Sequence, residues 1–298
     1  MGTATRAQAA GRAKRFGVVL ALLYVFLWAS AFVPSKILST EGQPLWMLVA
    51  RFLLAGGVLV VIALAAHRPF PTQLREWLEL LLLGLLTNAL YLGLAYISLE
   101  HLSSGMGAIL SSTNPLILAL LAPRLLGEPL SLRKGAGLLL GFGGVVAIML
   151  ERAGTGTARP LDVATMTLGV IAGVLSTVLF KRIQHRHDLV AAMATQLTCA
   201  GLVLIPAAFL LEGPLLITPT PELLASLAYL VVIVSVAASL LWFWLLTHGE
   251  ASRVSAFYFL TPAFGLALGA LLLGEHLVVR DLFGLTAIAL GISLVQRG

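Results

Sequence analysis

Apolar runs of roughly the same length follow one another along this chain, divided by short polar punctuation. A bilayer-spanning helix needs about 20 mostly apolar residues. Runs of that kind lie near 16–38, 45–66, 77–99, 103–126, 134–150, 163–183, 189–211, 223–247, 252–273 and 279–296. The pattern predicts an all-α membrane protein with ten transmembrane helices. No polar gap between them is long enough for a soluble domain. The longest are 151–162, with Gly154, Gly156 and Pro160, and 212–222, with Pro214, Pro219 and Pro221.

One part of the pattern occurs twice. An offset of 147 (262 − 115) superposes Pro115 on Pro262, Gly127-Glu128 on Gly274-Glu275, Arg133 on Arg280, Gly137 on Gly284 and Gly144 on Gly291. Roughly a dozen identities fall in the fewer than fifty positions of 101–148. Leucine-rich composition alone does not give that many, so the chain reads as a duplication. The expected organisation is a first five-helix repeat over 1–151, a linker over 152–162 and a second five-helix repeat over 163–298.

Composition narrows the class. The 298 residues are 59% hydrophobic and only 11% charged, with a mean hydropathy of +1.00. A soluble domain carries about a quarter charged residues. The net charge of +6 could suggest nucleic acid, but the basic residues sit between apolar runs, where they set orientation in a bilayer. With the N-terminus inside, the inner segments hold Arg6, Arg12, Lys14, Arg15, Arg68, Arg75, Arg124, Arg133, Lys134, Lys181, Arg182, Arg186, Arg253 and Arg297. The outer loops hold only Arg152, Arg159 and Arg280. Both termini are therefore expected in the cytoplasm, with the protein multi-pass in the inner (plasma) membrane. Five spans per copy is an odd number, so the second copy enters the bilayer upside down. Inverted repeats are a common build of secondary transporters. Basic residues 6–15, an apolar run and Ala29-Ser30-Ala31 also resemble a cleavable signal peptide. The run continues through Phe32-Val33, however, and cleavage would leave an unpaired first helix. The one cysteine, Cys199, excludes an internal disulfide.

Polar side chains within a bilayer normally face protein or a water-filled cavity. The third span carries Gly84, Asn88, Tyr91, Ala95 and Ser98, spaced to share one helical face. The fourth carries Ser104, Ala108, Ser111 and Pro115 on one stripe, with Ser112, Thr113 and Asn114 beside it; its copy offers Ser252, Ser255, Tyr258 and Pro262. The first presents Tyr24, Trp28 and Phe32, and the eighth Ser235, Ser239 and Trp242. These positions, with Arg51 of the second span, predict a central substrate cavity lined by Tyr24, Trp28, Arg51, Asn88, Tyr91, Ser111, Asn114, Ser239, Trp242 and Tyr258. Small and hydroxylated residues also pack membrane helices together, which is the plainer reading of any single serine.

Prolines fall inside the first, fourth and ninth spans as Pro34, Pro115 and Pro262. A mid-helix proline removes a hydrogen bond and kinks the helix. Pro115 and Pro262 are repeat-related, so they are candidate hinges at matched interrupted helices, or kinks that only shape the packing. Arg51, about 10 Å into the second span, could meet a carboxylate or phosphate or could snorkel outward. Lys36 lies nearer a span end and is expected to snorkel, and Glu79 to lie at the interface. Glu128 and Glu275 are expected to sit at the positive dipole ends of the fifth and tenth helices. All six histidines lie in loops or at span ends, and no deep carboxylate is present. Little or no proton coupling is the consequence. Gly137, Gly141 and Gly144, with Ala287 and Gly291, mark a close-packing surface that braces each half or forms a homodimer contact.

Enzyme classes find little support. There is no Gly-Lys-Ser/Thr for a phosphate loop, no paired aspartates, no intramembrane histidine beside a serine, and no ligand cluster for a metal. No cofactor is expected.

Several of these features occur together in one known family. Trp28-Ala29-Ser30-Ala31-Phe32, Arg51-Phe52, Ser111-Ser112-Thr113-Asn114-Pro115, the paired Gly-Glu turns and the glycine-marked fifth and tenth spans resemble the EamA family of the drug/metabolite transporter superfamily. The resemblance covers nearly the whole chain. The second copy departs from it with Thr261-Pro262 where the first has Asn114-Pro115, so the halves need not contribute equally. The resemblance implies a ten-helix inner-membrane permease that works by alternating access and exports small metabolites. Within the superfamily the chain looks most like YddG-type exporters of aromatic and other neutral amino acids. Two alternatives stand beside that reading: a nucleotide-sugar or sugar-phosphate exchanger dependent on Arg51, and a non-transporting membrane scaffold.

Overall fold

The computed structural model describes residues 2–99, 101–102, 104–150, 159–273 and 279–298, and all their regular structure is helical. The first apolar run forms α1 (Gly2–Ala29) and α2 (Phe32–Glu41), and the second forms α3 (Pro44–Ala65). The third is α4 (Leu74–Gly84), a π-helical segment Leu85–Leu90, then α5 (Tyr91–Leu99). The fourth divides into α6 (Ser104–Ser111) and α7 (Asn114–Leu125), and α8 (Leu132–Met149) ends the first copy. Then come α9 (Pro160–Ile183), α10 (Leu189–Glu212), and α11 (Pro221–Tyr229) with a π segment Leu230–Ala238 leading into α12 (Ser239–His248). The chain closes with α13 (Ala251–Ser255), a 3-10 segment Ala256–Leu260, α14 (Thr261–Leu273) and α15 (Val279–Arg297).

Eight of these stretches are long and apolar enough to cross a bilayer, from Phe16–Ser35 through Pro221–His248. The two last expected spans are also helical. One is divided by the 3-10 segment, and the other carries Arg280, Asp281 and Arg297. Most of the expected linker, and the Gly274-Glu275 turn, lie outside the described residues.

Helix ends follow local chemistry. Proline occupies the first turn of α3, α9 and α11, where its missing N–H costs nothing. The Asp188 carboxylate accepts the Val190 and Ala191 N–H groups, and Gly213 ends α10 at φ 75°. The interruptions track three of the prolines. Pro34 and Pro115 each stand just past a break, where the Ala31 N–H turns back to Trp28 O (3.2 Å) and the Thr113 N–H to Leu110 O (3.0 Å). Pro262 follows the 3-10 segment. Pro206 lies inside α10 without breaking it, so proline alone does not decide where a helix stops. The π segments have no proline and were not anticipated from the sequence. They nevertheless occupy matching places in the two copies, since 88 + 147 = 235 carries Asn88 of the first onto Ser235 of the second.

Two helix pairs join the copies, and in each the partners run antiparallel. In α3 and α10, Gly56 packs against Thr198 and Leu53 against Gly201. In α8 and α15, a Cβ added at Gly137 would stand 2.6 Å from Gly291 O, and one at Gly144 would stand 2.6 Å from Gly284 O. The offset of 147 converts one of these contacts into the other, as a two-fold relation between the copies requires.

Charge gathers at one end of the bundle. Glu79 forms ion pairs with Arg186 (2.7 Å) and Arg75 (3.1 Å) and a hydrogen bond with the His187 ring (3.2 Å). Lys181 donates to Leu246 O and Gly249 O, both at 2.9 Å. Glu128 corrects an expectation. The helix after it starts at Leu132 and is capped by Ser131, while the Glu128 carboxylate crosses to the other copy. There it accepts the Ala251 N–H (2.6 Å), the Ser252 N–H (3.0 Å) and the Ser252 hydroxyl (2.8 Å). Glu128→Ala would strand buried donors at the start of α13, and a loss of about 2–3 kcal/mol is expected, read as a lowered Tm.

Beside this clasp, Lys134 is buried and pairs with Glu250, which also binds Arg253 at 3.0 Å. Burial opposes ionisation of Glu250, but the hydrogen bonds and charges of Lys134 and Arg253 prevail and hold its pKa below the usual value. The ion pair therefore stabilises the fold above the unfolded carboxyl pKa of about 4.3, and that contribution disappears as pH falls through the lower folded value. Between about pH 5 and pH 3, the Tm of the wild-type protein is expected to fall more steeply than that of Glu250→Gln.

Candidate functional site

Four of the sequence-predicted residues form one aromatic cluster drawn from both copies. Tyr24 of α1 is 2% exposed, and its hydroxyl lies 2.6 Å from that of Tyr258. The Tyr24 ring stacks on Trp242 of α12 at 5.0 Å and on Trp28 at 6.2 Å. Tyr258 meets Trp242 at 4.9 Å and approaches Trp28 edge-on at 6.4 Å. Offset and edge-on contacts at these separations are attractive beyond simple burial.

Tyr91 and Asn114 join from the first copy. Tyr91 lies near both Tyr24 and Tyr258. A Cβ added at Gly173 of α9 would stand 3.3 Å from the Tyr91 ring and 3.5 Å from Asn114 Nδ2, so these two side chains converge on a glycine of the second copy. Gly173 was not anticipated from the sequence; the signal for it was a small residue amid larger apolar ones.

The other expected residues take different places. Asn88 is buried in the first π segment, and its amide nitrogen makes no hydrogen bond to a described residue. Ser111 ends α6 and is half-buried, whereas Ser239 spends its hydroxyl on Val234 O at 3.1 Å. Arg51 is buried and donates through Nε to Ser235 Oγ at 2.7 Å. The single polar face expected of the third span is not a single face. Gly84 packs against the Gln196 backbone of α10, whereas Tyr91 points to Gly173 of α9, because the intervening π turn breaks the α-helical register.

Most of the cluster lies at an interruption. Trp28 precedes the break in the first run, Tyr91 opens the helix after the first π segment, Asn114 opens α7, and Tyr258 lies in the 3-10 segment. Irregular backbone at membrane depth is tolerated where protein or a wet cavity surrounds it. In this conformation the rings pack on one another. Two open cavities lie away from them, a narrow one beside Phe180, Ile183 and His187 and a shallow groove beside Leu78, Glu79 and Leu179.

The family model of EamA-like transporters matches residues 15–150 and, again, 162–297. The chain belongs to the EamA-like transporter family. The two EamA matches begin 147 residues apart (162 − 15), the offset found in the sequence itself. The uncharacterized transporter YvbV of Bacillus subtilis (strain 168) is 31% identical over 284 residues, covering 95% of this chain and 92% of YvbV. The uncharacterized inner membrane transporter YedA of Escherichia coli (strain K12) is 27% identical over 285 residues, covering 95% and 90%. A solved crystal structure superposes with a TM-score of 0.80 at 15% identity, covering 94% of this chain and 96% of its own, which shows the fold. This EamA protein is thus a multi-pass membrane protein whose role is transport. Neither bacterial relative's name carries a substrate, so the YddG-type specificity suggested by the sequence stands as a proposal.

Proposed function

We propose that this EamA-family protein is a ten-pass secondary transporter of two inverted repeats, exporting aromatic or other neutral amino acids by alternating access. The observation that carries the reading is the cluster of Tyr24, Trp28, Trp242 and Tyr258, drawn from both copies and flanked by Tyr91 and Asn114. Flat rings stack on an apolar or aromatic solute, while phenols and an amide orient its polar end. Opening on one side parts the rings and admits the solute. Pro115 and Pro262, each just past a break, are the proposed hinges.

The antiparallel pairs α3–α10 and α8–α15 support inverted insertion, because helices related by the repeat that both cross a bilayer antiparallel enter it from opposite sides. Collection of Arg75, Lys181, Arg182, Arg186, Arg253 and Arg297 near one end supports a cytoplasmic placement of that end in an inner membrane.

The test is a counterflow screen in proteoliposomes against amino acids, purines and sugar phosphates. Uptake of aromatic amino acids into preloaded vesicles is expected; uptake of sugar phosphates alone would replace this reading with the exchanger. Since the expected path holds no deep carboxylate or histidine, flux should persist without an imposed proton gradient. Strict dependence on ΔpH would contradict that part of the reading.

A further inference from the structure

The cation at Arg51 is unlike buried Lys134 and half-buried Lys181 among the described residues. It lies within the apolar stretch Pro44–Ala65 and is 3% exposed. Among the described residues no carboxylate forms an ion pair with it. Its Nε donates to Ser235 Oγ at 2.7 Å, its guanidinium carbon stands 5.8 Å from the centre of the Phe52 ring, and Tyr96 lies beside it, so its neighbours are polar or aromatic and none is a counter-ion. Lys134, equally buried, has Glu250 and Pro129 O, and Lys181 has two backbone carbonyls.

An unpaired charge at this depth is expensive, and such residues normally serve a path or a ligand. The neighbourhood is suited to a ligand. The Tyr96 hydroxyl is buried beside the guanidinium, near enough to count as a neighbour but outside normal hydrogen-bond geometry, so it too is placed to turn toward a ligand. Ser235 lies in the second π segment, where the helix is already irregular. With Nε occupied, the remaining edge of the guanidinium presents two parallel donors, the geometry that accepts a carboxylate or phosphate in a bidentate fashion. Ser235 and Trp242 are seven residues apart in one run (242 − 235), about 10 Å along the axis. Side chains reaching toward each other from those positions span a small solute.

We propose that Arg51, with Ser235 and Tyr96, is an oxyanion subsite that takes the carboxylate or phosphate of the transported solute, whose apolar body lies on the aromatic cluster. The inference deepens the transport reading and rests on it. The docked anion supplies the missing counter-charge, so the loaded carrier holds a neutral pair where the empty one holds a cation with only a hydroxyl and aromatic rings about it.

The experiment uses purified full-length protein and two pairs of probes: L-phenylalanine against L-phenylalaninamide, and phenyl phosphate against phenol. Binding is followed by tryptophan fluorescence, since Trp28 and Trp242 are in the cluster. The wild type is expected to prefer the member that bears the carboxylate or phosphate in at least one pair by about 10- to 100-fold, the effect of one charge-assisted hydrogen-bonded pair. Arg51→Gln should abolish that preference, weakening the member that bears the carboxylate or phosphate far more than its partner. Which pair discriminates tells carboxylate from phosphate. As a readout independent of any probe, empty Arg51→Met should melt at or above the wild-type Tm, because it removes a charge without a partner. The subsite is overturned if neither pair discriminates, if the preference survives in Arg51→Gln, or if Arg51→Met lowers the Tm by more than a few degrees. Absence of phenylalanine counterflow in the wild type, with the anion preference intact, would sink the amino-acid reading and spare the subsite.

Discussion

Gly291→Val is expected to leave almost no folded protein in the membrane, whereas Gly143→Val is expected to accumulate like the wild type. A Cβ at Gly291 would stand 2.5 Å from Gly137 O, 2.6 Å from Gly141 N and 2.8 Å from Gly141 Cα. All three obstacles are backbone atoms, so no side chain can swing aside. Overpacking of this kind costs about 1–3 kcal/mol where neighbours can yield, and more where they cannot. Here the only relief is separation of α8 from α15, which removes the dispersion contacts that hold two membrane helices together. Gly143 lies on α8, the other helix of the seam, with nothing within 4 Å of its added Cβ. Fluorescence-detected size-exclusion of tagged variants reads both outcomes. Equal yields from the two would mean that this glycine seam does not join the copies.

Trp242→Ala is expected to lower counterflow of an aromatic solute by about 10- to 100-fold, the effect of losing one buried aromatic contact of about 1.5–3 kcal/mol. Flux is normalised to folded protein, since the truncation also opens space beside Tyr24 and Tyr258. Trp242→Phe keeps a ring and should recover part of the rate. Phe209→Ala removes an aromatic side chain from the exposed face of α10 and should leave the rate unchanged. Equal losses in Trp242→Ala and Phe209→Ala would show that the cluster is ordinary core.

Much of this was legible in the chain. The ring positions were visible because Tyr24, Trp28 and Trp242 are large amphipathic side chains away from span ends, where an apolar residue would otherwise stand. The seam between α8 and α15 was visible because Gly137, Gly144, Gly284 and Gly291 repeat at one offset. Use of that seam between the copies was not, since a glycine stripe does not say which helix it faces. The π segments were hidden because they need no proline and leave the apolar run unbroken; they make the spacing of Gly84, Asn88 and Tyr91 misleading. Glu128 was misplaced for a related reason. Its neighbours in sequence suggest the helix that follows, but its carboxylate serves a helix start 123 residues away.

A transport site shared between the copies requires them to cross the membrane in opposite senses. In a Cys199→Ala background, single cysteines at Thr72 and Thr218 lie in the repeat-related loops 66–73 and 213–220, and both positions are exposed. An impermeant maleimide applied to spheroplasts is predicted to label Thr218→Cys at once and Thr72→Cys only after permeabilisation. Labelling of both from the same side would contradict the inverted arrangement, and with it a transport site shared between the copies.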